Sequence, residues 1–417
     1  RLIRLGYRVA VCEQLEDPAE ARKRGSKAVV RRDVVRLVTP GTLTEDALLD
    51  AKAANYLTAI FVPPGGAGAS DELAMASLDI STGEFEVGVV ARPDLAGEIV
   101  RLLPREILVA DGQAEDGDIA RAAGLISAAM TPVPLPSFDG LSGERAMREL
   151  LGVGDLGAFG AFARAELAAV GALLRYVELT QIGHRPTLRP PRRSGRGDAL
   201  IIDAASRASL ELLRSTSGER RGSLLAAIDR TVTGPGAREL AIRVATPLCD
   251  PTAINARLDA TGFLVETSDL RSALRSELRG APDIARAVSR LALQRGGPRD
   301  LAAVRDALAV ARALADSLAQ VAAAMGLPEV LDRLCRTFAS APASLHEKLV
   351  AALADELPAL RREGGFVRPG YDAALDEARQ LSEDSRQVMA ALEARYAEAT
   401  GVKALRVRHN NILGYFI

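Results

Sequence analysis

The spacing of apolar residues changes along this chain. In its first part they come in short runs broken by proline, glycine and aspartate, the pattern of buried strands and turns. Residues 7–12 and 34–38 read as strands, the second ended by Thr39-Pro40-Gly41-Thr42. Residues 55–62 form a third, stopped by Pro63-Pro64-Gly65-Gly66. Residues 73–80 and 84–90 flank Ser81-Thr82-Gly83 as strand, turn and strand. Residues 95–103 have helical spacing, and 106–110 make a short buried strand. The run Thr131-Pro132-Val133-Pro134-Leu135-Pro136 reads as irregular, because proline fixes φ and removes a donor.

From residue 161 the period lengthens. Leu167, Val170, Leu173, Leu174 and Val177 mark a helix ending near Gly183, and Arg189-Pro190-Pro191-Arg192-Arg193 is an extended connector with solvated arginines. Residues 200–247 then form a hub of short, punctuated elements. Ala199-Leu200-Ile201-Ile202 is a strand signal closed by Asp203, whose carboxylate can cap a helix from Ala204. Leu210, Leu213, Leu224, Leu225 and Ile228 mark apolar helix faces around the polar hinge 215–222. Thr233-Gly234-Pro235-Gly236 reads as a turn before a helix with Leu240, Ile242 and Val244. From Asp250 almost to Gly401 the pattern is helical, punctuated at 280–282 and 296–298. Leu301, Val304, Leu308 and Leu318 form a buried stripe in it. The last helix, 371–399, is roughly 40 Å long at about 1.5 Å per residue. Its seam of Tyr371, Leu375, Ala378, Leu381, Val388, Leu392 and Tyr396 asks for partner helices. Residues 403–417 alternate as a strand, with Arg406 and Arg408 on one face.

The fold class expected is therefore multidomain, α/β followed by all-α. Three strands in a meander, a helix and a strand are the opening order of a ribonuclease H-like sheet, an analogy of topology that licenses no function. At 417 residues the chain exceeds one compact core. With 53 basic against 54 acidic residues there is no global positive field, so nucleic-acid contact has to come from local patches. Cys12, Cys249 and Cys335 lie far apart, match no metal spacing and read as reduced thiols of a cytosol. No apolar run reads as approaching the ~20 residues that span a bilayer. The chain opens at Arg1 inside a helical pattern and stops at Ile417 inside a strand pattern, so an internal fragment is expected.

Catalysis leaves few traces. His184, His346 and His409 are scattered, and no glycine-rich loop leads into Lys-Ser or Lys-Thr. Asp79 sits where a ribonuclease H-like nuclease would place a metal-binding carboxylate, but a two-metal site needs further carboxylates, for which only Asp111, Glu115 and Asp116 can be invoked. A basic cluster of Arg22, Lys23, Arg24, Lys27, Arg31, Arg32 and Arg36 is a solvated face or a phosphate contact.

Several segments, in colinear order over essentially the whole chain, resemble the bacterial MutS family of DNA mismatch-repair proteins. They are Val9-Ala10-Val11-Cys12-Glu13-Gln14 with Asp17-Pro18, Val34-Val35-Arg36-Leu37-Val38-Thr39-Pro40-Gly41-Thr42, and residues 77–85. They continue with Ile202-Asp203-Ala204-Ala205-Ser206-Arg207, Leu291-Ala292-Leu293, Gly297-Pro298-Arg299-Asp300-Leu301, and His409-Asn410-Asn411-Ile412-Leu413-Gly414-Tyr415.

The resemblance implies that residues 1–38 end a mismatch-binding domain and 45–160 form a ribonuclease H-like connector. Residues 165–400 would be the helical core and levers, and 401–417 the start of a β clamp. It implies a cytoplasmic, nucleoid-associated homodimer that closes on mismatched duplex DNA, kinks it with an aromatic wedge and recruits MutL. ATP and Mg²⁺ would serve the full-length protein, a DNA-dependent ATPase, and none would be bound by these residues. The family's Phe-x-Glu wedge would precede residue 1 and its P-loop follow residue 417, leaving these residues without ATP hydrolysis. Arg32 matches a basic family position near the DNA backbone, and Arg406 and Arg408, which open the clamp strand, would be further candidates for phosphate contact. The alternatives are a metal-dependent nuclease using Asp79 and a recombination-type relative, against which residues 1–38 argue.

Overall fold

The computed structural model describes every residue except 1, 4–6, 26, 27, 65–70, 183, 195–198, 403, 411–413 and 417, and leaves aside the side chains of 194, 381–388, 409, 410, 414 and 415. The expected turn at Gly65-Gly66, helix end at Gly183, seam positions Leu381 and Val388, and strand ends Lys403 and Ile417 lie outside the described residues. The chain divides into two compact units, Arg1–Val11 with Val34–His346, and Cys12–Asp33 with Glu347–Ile417.

Strands β1 (Val9–Gln14) and β2 (Arg32–Val38) form a two-stranded sheet, with helix α1 (Pro18–Lys23) between them in sequence. The first was expected to be buried, but four of its six side chains are exposed. Of the residues 34, 36 and 38 that share one face of β2, Arg36 and Val38 are buried and Val34, nearer the start of the strand, is exposed.

The larger unit is built on a mixed sheet of six strands. These are β3 (Leu57–Phe61), β4 (Glu72–Asp79) and β5 (Glu84–Ala91), then, after helix α2 (Leu95–Leu102), β6 (Glu106–Ala110). Helix α3 (Gly117–Ile126) leads to β7 (Ala129–Val133), and helices α4 (Gly140–Leu151) and α5 (Arg164–Gln181) precede β8 (Arg192–Ser194). The spatial order is β7-β6-β3-β4-β5-β8, with β3, β4 and β5 antiparallel and the other neighbours parallel. Gly83, at φ 76°, makes the β4–β5 turn at a backbone angle L side chains rarely adopt. One face of the sheet packs Leu57, Leu78, Phe85 and Leu108 against Leu167, Val170 and Leu173 of α5. The other packs Ile60, Met75, Ile107 and Val109 against Ile99 of α2 and Ile119 of α3. The strands are buried on both faces, so they read as continuous apolar runs.

Two expectations fail here for the same reason, position at a sheet edge. The proline-rich run is not irregular: Thr131, Pro132 and Val133 belong to β7, which pairs only with β6. An edge strand tolerates proline because one row of its backbone groups has no ladder partner. The connector arginines are likewise not simply solvated. Arg192 and Arg193 lie in β8, and Arg193 Nη2 donates to both oxygens of buried Glu166, at 2.8 and 3.0 Å.

The hub consists of α6 (Ala204–Ser209), α7 (Leu224–Ile228) and α8 (Gly234–Ala245). Asp203 caps α6 as expected, accepting from Ser206 N at 2.9 Å. The expected strand 199–202 reduces to a single bridge between Ala199 and Leu248, with Leu200 and Ile201 more than half exposed. Thr233 is not part of a free turn but the N-cap of α8, with Pro235 in its first turn. Next come α9 (Pro251–Glu266), α10 (Ser268–Arg279), α11 (Ile284–Ala292), α12 (Pro298–Met325), α13 (Glu329–Ala339) and α14 (Ala343–Ala352). By length and composition α12 could cross a membrane, contrary to the reading of the apolar runs; Val304, Leu308, Leu314, Ala315 and Leu318 on it are buried within the fold.

In the smaller unit, helix α15 (Ala373–Thr400) is capped by Asp372 and closed by Gly401 at φ 68°. Residues 353–372 interrupt the expected continuous helix, because Pro358, Gly364, Gly365, Pro369 and Gly370 break it. The expected final strand is two short ones, β9 (Arg408–Asn410) antiparallel to β10 (Gly414–Phe416).

Candidate nucleic-acid interface

Arg32, Arg406 and Arg408 all fall in the smaller unit. Arg32 opens β2, is exposed, and makes no side-chain hydrogen bond or ion pair among the described residues. Its neighbours are committed. Glu16 pairs with Arg24 and accepts from Arg31 N at 2.6 Å, while Lys23 pairs with Glu20 at 3.1 Å. These contacts occupy Glu16 and Glu20, while the Arg32 guanidinium is exposed. Such a fork suits phosphate oxygens.

Arg408 is exposed in β9. Arg406 lies before that strand rather than on one face of it with Arg408, and its Nη1 stands 3.6 Å from Glu393 of α15. Val407 N donates to the same glutamate at 2.9 Å. With Arg406 itself largely exposed, this ion pair is weak.

The basic cluster contains one residue of another kind. Arg36 is only 8% exposed, pairs with Glu45 and donates to Thr44 Oγ1 at 3.3 Å. Burial and the nearby Arg295 lower its pKa to about 10, which still leaves it charged at neutral pH. It folds residues 44–45 back onto β2 and is withdrawn from any external ligand. Alternation with Val38 on the inward face was the sequence signal for this.

Asp79, the candidate nuclease carboxylate, is 1% exposed and committed within the fold. Oδ2 accepts from Asn55 N at 2.9 Å, and Oδ1 from Ser81 N at 2.9 Å and Ser81 Oγ at 2.6 Å. Asp116 caps α3 and pairs with Arg92 at 2.8 Å. Burial opposes ionisation of Asp116, but bonds from Arg92, Ile119 and Asp118 outweigh it and depress its pKa. These carboxylates are structural, and no group of three or more potential metal ligands forms among the described residues.

One buried carboxylate escaped sequence reasoning. Glu106 in β6 is fully buried and accepts from Thr39 Oγ1, Gly41 N, Thr131 Oγ1 and Tyr176 OH. Its four donors come from segments up to 70 residues away, so no local spacing announces it.

The start of α8 is not an open phosphate cradle. The glycine-rich start of α8 is capped by Thr233 Oγ1, 3.0 Å from Gly236 N, and any Cβ at Gly234 would lie 2.8 Å from Ala51 O. That helix end is closed by protein, and no lysine follows it for a phosphate.

Comparison with known proteins gives three consecutive matches: MutS domain I at residues 1–47, MutS domain II at 55–189 and MutS domain III at 205–406. Among curated relatives, a protein of Azorhizobium caulinodans named DNA mismatch repair protein MutS is 53% identical across all of this chain and 44% of its own length. Like-named proteins of Nitrobacter winogradskyi and Rhodopseudomonas palustris (strain BisB5) are 49% and 51% identical across the whole chain, which covers 46% and 44% of them. The chain thus spans less than half the length of these relatives.

Proposed function

This chain belongs to the MutS family, and from that premise we propose that it serves DNA mismatch repair as the connector and lever portion of a clamp on mispaired duplex. The observation that carries the reading is the run of three MutS domains in order along one chain. We assign residues 1–38 to the end of the mismatch-binding domain and 45–160 to a ribonuclease H-like connector. The order β7-β6-β3-β4-β5, with its antiparallel meander and parallel β6 and β7, supports the latter. Residues 165–400 would be the core and levers, and 401–417 the start of the clamp. The 28-residue helix α15 is long and stiff enough for a lever. In the whole protein we infer a homodimer that recruits MutL and uses ATP and Mg²⁺ bound outside these residues. A bacterial cytoplasmic, nucleoid-associated setting follows from the DNA substrate.

Arg32, Arg408 and Arg406 are the proposed phosphate contacts. Such contacts set position and affinity without reading bases. Replacing Arg32 with alanine should therefore weaken duplex binding on the order of threefold to tenfold for matched and mismatched DNA alike, and lower the salt slope by about 1. Fluorescence anisotropy at several salt concentrations measures both quantities. A loss confined to mismatched duplex would show that Arg32 reads the lesion and not the backbone.

The nuclease alternative loses its support with the engagement of Asp79, both of whose carboxylate oxygens are held by the turn and strand around it.

A further inference from the structure

Residues 46–54 run from β2 toward β3, and 48–54 fall between the matches to MutS domains I and II. They are clasped by residues of the domain III match. Arg286 Nη2 of α11 donates to Asp50 O and Ala53 O, both at 3.0 Å. Arg238 Nη1 of α8 donates to Ala51 O at 2.8 Å. Arg290 Nη1 meets Asp46 at 2.6 Å, and Lys52 Nζ meets Asp229 at 3.3 Å. A Cβ at Gly234, which opens α8, would stand 2.8 Å from Ala51 O, so the close approach depends on glycine there.

The clasp is polar, and little apolar packing supports it. Asp46, Asp50, Ala51 and Lys52 are exposed, and Leu48 and Leu49 are only half-buried. Leu48, Leu49 and Ala53 line a cleft of about 610 Å³ together with Pro40, Arg105 and Ala129. Side chains that border a cleft lack the dispersion contacts of a filled core on that side. The structures at either end are tied separately. Asn55 Nδ2 donates to Pro40 O at 3.0 Å and Asn55 N to Asp79 at 2.9 Å, while Arg36 holds Thr44 and Glu45. A loop whose ends are held can lift without drawing on the strands it joins. Helix α11 also has its own seat on the sheet. Ser289 Oγ donates to Ile80 O at 2.6 Å, and Leu293, just past the helix, is 1% exposed within the core of the sheet.

We propose that residues 46–54 are a releasable strap: Arg238 and Arg286 hold it down by its carbonyl oxygens, and it opens as a unit over the cleft while β4 and α11 stay in place. Opening exchanges bonds to arginine for bonds to water and exposes little apolar surface, so it takes less free energy than unfolding the sheet. Domain III thereby controls the segment that separates domains I and II along the chain. The strap stands independently of the DNA contacts at Arg32, Arg406 and Arg408.

Hydrogen exchange and limited trypsin digestion of the 417-residue chain test this. The amides of Leu48 and Leu49 bond to Glu45 O and that of Ala53 to Asp50 O, so all three report the strap, and trypsin cuts after exposed Lys52 once it lifts. Arg238→Met removes a donor, and Gly234→Ala pushes on the carbonyl that the donor holds. Both should speed exchange of the three amides and cleavage after Lys52 on the order of tenfold to a hundredfold, the worth of one bond from a charged donor. The amides of β4 and of Leu293 should exchange as before. Asp46→Asn serves if those two variants do not fold: it loosens the exposed end of the clasp while Arg290 keeps Asp300, and should speed the same three amides severalfold. Unchanged exchange at Leu48, Leu49 and Ala53 overturns the strap. Equal acceleration in β4 or at Leu293 overturns it too, because the segment would then open only with the core.

Discussion

Strand Glu106–Ala110 and the run 199–202 look alike in sequence, each a few apolar residues bounded by a charge or a turn, and they end in opposite environments. Every residue of the first is buried, between β3 on one side and β7 on the other. In the second, Leu200 and Ile201 are 52% and 59% exposed, and among the described residues a single bridge from Ala199 to Leu248 is the segment's strand pairing. Apolar character brings a segment toward a sheet only where strands with open hydrogen-bonding edges wait for it. The sheet region is therefore held by dry contact on both faces. The hub is held by caps and by arginines that bond to carbonyl oxygens. Arg207 Nη1 donates to Ala245 O at 2.6 Å, and Arg238 Nη1 to Ala51 O at 2.8 Å.

The contrast predicts unequal responses to small changes. The largest belongs to Gly143, where α4 crosses α5. A Cβ there would stand 1.9 Å from Leu167 O and 2.9 Å from Gly171 N, both backbone atoms that cannot swing aside. Gly143→Ala should force the two helices apart and cost about 3 kcal/mol or more, seen as a lower urea midpoint for this chain. An unchanged midpoint would mean the helices cross less closely than this geometry requires.

How much of this was legible follows the same division. The strands of the central sheet stood out because burial on both faces leaves uninterrupted apolar runs, and Glu106–Ala110 was located to the residue. Pro132 misled because a strand's place at the sheet edge is a fact of topology, invisible in a local window. The hub strand misled for the converse reason, since no sequence window shows that a partner is absent. The proposed contact residues were singled out by resemblance, and alternation could not separate Arg32 from Arg36, which share one face of β2; their burial, exposed at the strand's start and buried near its end, separates them. Glu106 was out of reach because its donors are scattered from Thr39 to Tyr176.

An intermediate response belongs to Arg286 on α11, which reaches from the helical region to the segment before the sheet. It is 3% exposed, and its Nη2 donates to Asp50 O and Ala53 O, both at 3.0 Å. Burial lowers its pKa, as does Arg238 close by, with Asp79 and Asp283 opposing. Arg286→Met keeps the apolar stem and removes the donors. It should cost about 1.5–3 kcal/mol, the worth of a hydrogen bond made by a charged donor. Proteolysis should also open the segment 46–54 before the sheet unfolds. Simultaneous loss of both would show that the arginine belongs to the sheet's own core.

The smallest response should come from Leu200, and it sharpens the comparison most, because the side chain is of the type that fills the sheet. Leu200 N already donates to Pro247 O at 2.8 Å, so the backbone is fixed without help from the side chain. With half of that side chain in water, Leu200→Ser removes little buried surface and strands no polar group, since the new hydroxyl faces solvent. The shift in unfolding free energy should stay within about 0.5 kcal/mol. A loss of the size that follows emptying a packed core, about 2–5 kcal/mol, would mean that apolar type and not strand pairing decides what is buried in this chain.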